Sequence, residues 1–253
     1  MFNNLPDHQR IHLAKEKTKR VVDNVQFLLA LHENNAIVLY SSTLSSQIPT
    51  SLAANAFNVF QRGLHHYEIV RLCALWDGVG LEKENISTII ELIDEPRIID
   101  FFAAETEAHW KGIGGALVNP SDDPKLQALV VAELARNDAL FGAQQAHKAR
   151  VGLRKAIEKA RIILSSSKLG SIMNLRDKHL AHSLSQTRRE QKVGPMTPVK
   201  YGDECDVLNE TLPIVEALYC WINGVSFSFE DSRQIDRKYA KALWEACKFS
   251  IPS

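Results

Sequence analysis

An all-α, single elongated helical bundle of roughly seven to nine helices is the architecture this chain predicts, on three observations. Apolar residues recur at spacings of three and four along most of its 253 residues. Period-two alternation is nearly absent, and turn signals lie too far apart for hairpins, residues 227–229 being the weak exception. Hydrophobic residues at 45% and charged residues at 24% describe an ordinary globular chain that can bury a large core. No solenoid-period repeat, low-complexity tract or linker-like composition shift divides it, so residues 1–253 read as one domain.

The elements follow in order. Residues 7–33 carry Ile11, Val21, Val22, Val25, Leu28 and Leu29 among charged residues, the pattern of an amphipathic helix. Residues 36–48 continue it or form a second helix, closed by Pro49. Thr50 or Ser51 then caps a helix reaching Trp76, with Ala54, Phe57, Phe60, Leu64, Tyr67, Val70 and Leu75 as its expected buried stripe. Residues 85–93 form a short helix with Thr88 and Glu91 at capping-box spacing. Asp94 and Pro96 start the next, which is expected to run to about residue 118 before the loop NPSDDP at residues 119–124. A long periodic stretch covers residues 125–164, with interruptions expected near Gly142 or Gly152, and Ser165, Ser166 and Ser167 mark a joint. QKVGPMTPVKYG at residues 191–202 cannot continue a helix; residues 203–221 and 231–249 resume helical spacing.

Thirty basic residues balance thirty acidic ones, so the molecule has no net field to steer a polyanion. Their distribution is uneven. Residues 148–200 hold thirteen basic side chains against three acidic ones, a net of +10 that the remainder offsets. Such a segment is either a solvated helix face or a local nucleic-acid footprint. The four cysteines, Cys73, Cys205, Cys220 and Cys247, have no CxxC spacing and read as free, mostly buried thiols in a reducing compartment. KEKTKR followed by VQFLLAL resembles a signal peptide, but Asp23 and Asn24 interrupt it and no small-residue cleavage site follows. No apolar run approaches membrane-spanning length, and a cytoplasmic location with no membrane partner is expected.

Spacing sets several chemistries aside. There is no ExxH pair, HExxH, GxxxxGK[ST] or GxGxxG, and no metal site or cofactor is expected. His8 with His12, and His65 and His66 with Glu68, are most simply solvated or packed, and Trp76-Asp77-Gly78 reads as a helix end with the tryptophan in the core. What remains is SIMNLRDKHLAHSL at residues 171–184, the densest group of acid-base and phosphate-binding side chains in the chain. Ile172, Leu175, His179 and His182 fall at i, i+3, i+7 and i+10, so both histidines prolong the stripe such a helix would bury. The residues leave two readings open: satisfied core histidines beside a surface arginine, or a reactive site. On a regular helix Arg176 and His182 are ~120° apart in azimuth and about 9 Å apart along the axis. A shared phosphate therefore needs a distorted helix end or a second copy of the helix.

At these residues the chain resembles the HEPN superfamily, specifically its AbiU-like branch associated with abortive infection. LRDKHLAHS (175–183), KAIEKARIIL (155–164), VKYGDECDVLNE (199–210), RLCALWDG (71–78) and NISTIIELI (85–93) carry the likeness. The resemblance implies a HEPN-like bundle with an N-terminal helical extension that dimerises. In active members two R-x4-6-H motifs meet in a metal-independent RNA-cleaving site. Arg176 matches the family's arginine, Asp177 the polar residue that often follows it, and His182 the motif histidine, with His179 as an auxiliary neighbour. In the mechanism so implied an RNA 2′-hydroxyl attacks the adjacent phosphorus, leaving a cyclic phosphate and a 5′-hydroxyl. His182 moves protons and Arg176 stabilises the phosphate's developing charge. Asp177 positions either group, and Lys178, Arg188, Arg189 and Lys192 hold flanking phosphates in RNA. HEPN toxins silenced by a nucleotidyltransferase carry a tyrosine two residues after the histidine, where this chain has Leu184, so control through that tyrosine is not expected. The expected partners are RNA, a second copy of the chain, and an antitoxin or defence partner. A catalytically silent helical module that binds RNA or a protein is the alternative.

Overall fold

A computed structural model describes residue 2 and residues 4–111 and 123–251. Among them are ten α-helices, one π-helical turn and no strand. The all-α expectation holds, and the count exceeds nine because two of the helices are short. The expected continuation from residue 112 to 118 and most of the loop at 119–124 lie outside the described residues.

The first helix, α1 (Asp7–Val38), is the axis of the bundle. It buries Val21, Val25, Leu28 and Leu29 and packs on four later helices, introduced below as α3, α4, α9 and α10. One continuous helix to Val38 settles the alternatives for residues 36–48, and the single turn α2 (Ser42–Ser45) follows. Ser51 caps α3 (Leu52–Leu75) by accepting from the amide of Ala54 at 3.3 Å. The stripe expected on α3 is corrected: Phe60 and Tyr67 are exposed, while Glu68, Ile69, Leu72, Cys73 and Leu75 are buried. Only the C-terminal part of α3 enters the core. Its N-terminal part meets aromatic side chains of the last segment, Phe57 on Phe249 and Phe60 on Trp244.

The helix α4 (Ile86–Ile93) is capped by Asn85, whose Oδ1 accepts from the Thr88 amide at 2.8 Å. Thr88 is therefore inside the helix rather than at its start, and its hydroxyl binds the backbone of Gly80. The following helix α5 (Pro96–Trp110) has proline in its first turn, and α6 (Pro124–Ser165) runs uninterrupted for 42 residues. Gly142 and Gly152 do not break α6; they admit close neighbours. A Cβ at Gly142 would lie 3.1 Å from the Glu107 carbonyl oxygen, and one at Gly152 would overlap the Trp221 indole. The two glycines, with buried Ala103, Ala146 and Ala149, let α5, α6 and Trp221 pack closely.

Ser166 caps α7 (Ser167–Leu175), which is followed by the π turn Arg176–Leu180 and then α8 (Arg188–Val193). The chain ends with α9 (Asp203–Asn223) and α10 (Phe229–Trp244). Residues 227–229 form no strand; Phe227 stacks edge-on against Tyr219 and Phe229. Ile172, Leu169, Trp76, Leu72, Val207 and Leu208 belong to the same buried cluster as the α1 residues, so the opening of the motif segment is anchored in the main core. All four cysteines are free, but only Cys73 is buried; the other three are half-buried. Among the described residues no helix is long and apolar enough to cross a membrane.

Candidate functional site

The helix carrying the motif starts regularly and then loosens. Ile172 is fully buried on α7, but from Arg176 onward the hydrogen-bond register widens to i+5, the Ala181 amide binding the Arg176 carbonyl at 2.8 Å. The Leu184 amide then reaches the Lys178 carbonyl at 3.0 Å, and residues 182–184 have no helical structure. π turns are rare and frequent at functional sites. A distorted helix end, one of the two alternatives that a shared phosphate leaves open, is thus present. The expectation that His179 and His182 extend a buried stripe is corrected: both are exposed, because α7 ends before either residue is reached. Among the described residues neither imidazole has a hydrogen-bond partner.

Arg176 lies half-buried between two carboxylates. Its Nη1 donates to Asp77 Oδ1 at 2.6 Å, while Nε and Nη2 lie 2.8 and 2.7 Å from Asp177 Oδ1. Burial opposes the charge, but the hydrogen bonds to Asp77 and Asp177 outweigh it and raise the guanidinium above its ordinary pKa. Asp77 comes from just beyond the end of α3, 99 residues earlier in the chain. The buried Cys73 thiol sits one turn before it, pushed up to about 12 by burial.

A second set of bonds ties the segment after His182 back to α7. Thr187 and Glu190 form a capping box on α8. The Glu190 carboxylate also accepts from Lys178 Nζ at 2.9 Å and from Asn174 Nδ2 at 3.1 Å, and the Thr187 hydroxyl donates to Asn174 Oδ1. The Lys178 ammonium, then the Thr187 amide and Asn174, hold the Glu190 carboxyl at about 2. Residues 181–186 are therefore an exposed loop pinned at both ends, with His182 on it.

The basic segment is less free than its count implies. Arg150 pairs with Asp100, Arg161 with Asp94, Lys168 with Asp206, Arg176 with Asp77 and Asp177, and Lys178 with Glu190. Of the four side chains expected on RNA, Lys178 is thus engaged within the chain, and Arg189 is half-buried against the Met173 sulfur at 3.5 Å. Arg188 and Lys192 are exposed and make no ion pair among the described residues.

A second concentration of ionisable groups lies between α1, α3 and the start of α9. His32 Nδ1 binds buried Glu68 at 2.7 Å, and Asn35 donates to the other oxygen of that carboxylate. Glu204, also buried, receives Tyr40 and the Gly202 amide, with His65 Nε2 at 3.3 Å. Burial works against the Glu204 carboxylate, yet His65 and Tyr40 hold it at about 2. Glu33 is buried between Arg233 and Arg237 of α10. Among the described residues no group of three or more His, Cys, Asp or Glu side chains is arranged to hold a metal ion.

Asp77, Asn174, Thr187 and Glu190 are the site's neighbours that the sequence left unassigned. The capping-box signature T-R-R-E at residues 187–190 was legible; nothing local links Asp77 to Arg176. The chain belongs to the AbiU2 family of HEPN domains, whose sequence pattern matches residues 16–243. Neither the curated proteins nor the solved structures contain a match.

Proposed function

We propose that this chain is a metal-independent endoribonuclease of the HEPN type, acting in phage defence or as a toxin, whose site is completed by a second copy. The observation that carries the reading is the π turn. It holds the Arg176 guanidinium half-buried while the chain beyond it presents His182 to solvent with no partner, as half of a composite site requires. In the assembled dimer one or both copies of His182 take the proton from the attacking 2′-hydroxyl and return one to the leaving 5′-oxygen. Arg176 binds the phosphate, whose charge grows in the transition state. Before RNA binds, Asp177 orients the guanidinium; His179 lies beside the reacting groups, and Arg188, Lys192, Lys178 and Arg189 line the path of flanking phosphates. Membership of the HEPN family supports this chemistry.

A second reading has its own support: with Arg176 already held by two carboxylates, the chain can equally serve as a silent module that binds RNA or a protein. The test is purified protein with RNA in excess EDTA, beside Arg176→Ala and His182→Ala. Cleavage lost in both variants sustains the ribonuclease. Unchanged RNA binding without cleavage in the wild type favours the silent module, and cleavage abolished by EDTA removes the metal-free mechanism.

A further inference from the structure

We infer that Asp77 is a positioning residue for Arg176, and that Asp177 is the exchangeable partner which an RNA phosphate replaces. The inference rests on the ribonuclease reading and specifies how that site opens to its substrate.

The two carboxylates hold different edges of one guanidinium. Asp177 Oδ1 sits across the Nε–Nη2 edge, at 2.8 and 2.7 Å, whereas Asp77 takes only Nη1, at 2.6 Å. The Nε–Nη2 edge presents two parallel N–H groups, the fork that matches two phosphate oxygens. Two carboxylates against one guanidinium leave a net negative charge, which repels a phosphate. If Asp177 leaves, the fork is free and the local charge is balanced, while Asp77 still fixes the far side of the guanidinium.

The frameworks behind the two residues differ in the same sense. The chain at Asp77 is bolted down: the preceding Trp76 is 1% exposed, and its indole donates to the Thr211 hydroxyl of α9 at 3.0 Å. Asn85, also 1% exposed, donates to the carbonyls of Asp77 and Gly78 at 3.1 and 3.3 Å while its Oδ1 caps α4. Trp76-Asp77-Gly78 is thus more than a helix end; it delivers a carboxylate to a fixed place. The two carboxylates are alike in exposure, 39% for Asp177 against 34% for Asp77, and each bonds only Arg176 among the described residues, so the difference lies in the backbone, which at Asp177 belongs to the loosened π turn. Release of Asp177 frees the Nε–Nη2 fork, whereas release of Asp77 would free only Nη1.

Steady-state cleavage of an RNA oligonucleotide in EDTA by Asp77→Ala, Asp77→Asn and Asp177→Asn tests the division of roles. Asp77→Ala is expected to lower kcat about 10²-fold with little change in KM, the cost of a misplaced catalytic group. Asp77→Asn should recover most of that loss, because its amide oxygen still accepts from Nη1. Asp177→Asn should lower KM, since the fork is no longer contested by a charge. In parallel, the Arg176 Nε–Hε NMR signal, assigned by its loss in Arg176→Lys, should broaden in Asp77→Ala and shift in the wild type on addition of a 2′-deoxy oligonucleotide. Wild-type kcat in Asp77→Ala, or an equal kcat loss in Asp177→Asn, overturns the inference. If the wild type cleaves no RNA, the ribonuclease reading fails by itself; an NMR signal unchanged by Asp77→Ala then overturns the inference, and a broadened one upholds Asp77 as the residue that holds Arg176.

Discussion

Two regions of this protein are rich in acid-base groups, and they are built in opposite ways. Around His32, Glu68, Asn35, Tyr40 and Glu204 the carboxylates are sealed between α1, α3 and α9 with partners on both oxygens or close beside them. Around Arg176 the arginine and its carboxylates are half-buried, and the histidines beyond them face solvent unpartnered. Residue type alone does not separate the two, since both contain histidine, carboxylate and a hydroxyl or cationic partner. What separates them is whether a proton or a phosphate can reach the group. A sealed ionic network costs desolvation and yields a specified fold, whereas a group that exchanges protons with a substrate must be left accessible.

The largest expected effect comes from breaking the open region. His182→Ala should reduce RNA cleavage by about 10²–10⁴-fold, the usual worth of a general acid-base group, with no loss of thermal stability because the imidazole is exposed and makes no hydrogen bond or ion pair among the described residues. The converse variant, His32→Ala, should leave the cleavage rate per folded molecule unchanged but destabilise the protein by about 3 kcal/mol, read as a lower urea midpoint, because Glu68 loses a buried partner. A His32 variant that stays stable but stops cleaving would reverse the assignment of the two regions.

Acid sharpens the contrast at the next level. The Glu204 carboxyl is depressed to about 2 from an ordinary value near 4.3. Its contribution is present in full above the ordinary value and is lost as pH falls toward about 2. Thermal midpoints should therefore fall between pH 5 and about 2, with a shallower slope in Glu204→Gln. Smaller still, Thr187→Ala removes one half of the capping box and should cost about 1 kcal/mol, loosening the loop that carries His182. The smallest effect is expected at the rim: Arg188→Ala and Lys192→Ala should each reduce the salt dependence of RNA binding by about one phosphate contact.

How far the sequence carries the reader differs between the same two regions. Helix positions were legible where local chemistry decides them, as at Ser51, Ser166 and Pro96, and the periodicity of α1, α6 and α9 was strong enough to place the core. The buried face of α3 was not legible, because its apolar residues continue past the point where the bundle ends, and Phe60 and Tyr67 remain outside. Glycine misled in α6 for a related reason: Gly142 and Gly152 answer to neighbours on α5 and α9, which no local window contains. At the site, Arg176, Asp177, His179 and His182 were visible as a motif, but their surroundings were not. A π turn has no residue signature as firm as a cap, so the histidines were placed on a stripe that the helix never extends. The basic segment looked freer than it is, since Asp77, Asp94, Asp100 and Asp206 reach it from distant parts of the chain.

The π turn also makes the spacing of the motif something the backbone measures. An i+5 ladder accommodates one residue more per hydrogen-bonded loop than an i+4 ladder does. On a regular helix one residue more between Arg176 and His182 would turn everything after it by about 100°, whereas the wider loop absorbs that residue with the phase nearly kept. In this molecule the number of residues between the two groups is therefore a structural quantity in its own right, as consequential as their identity.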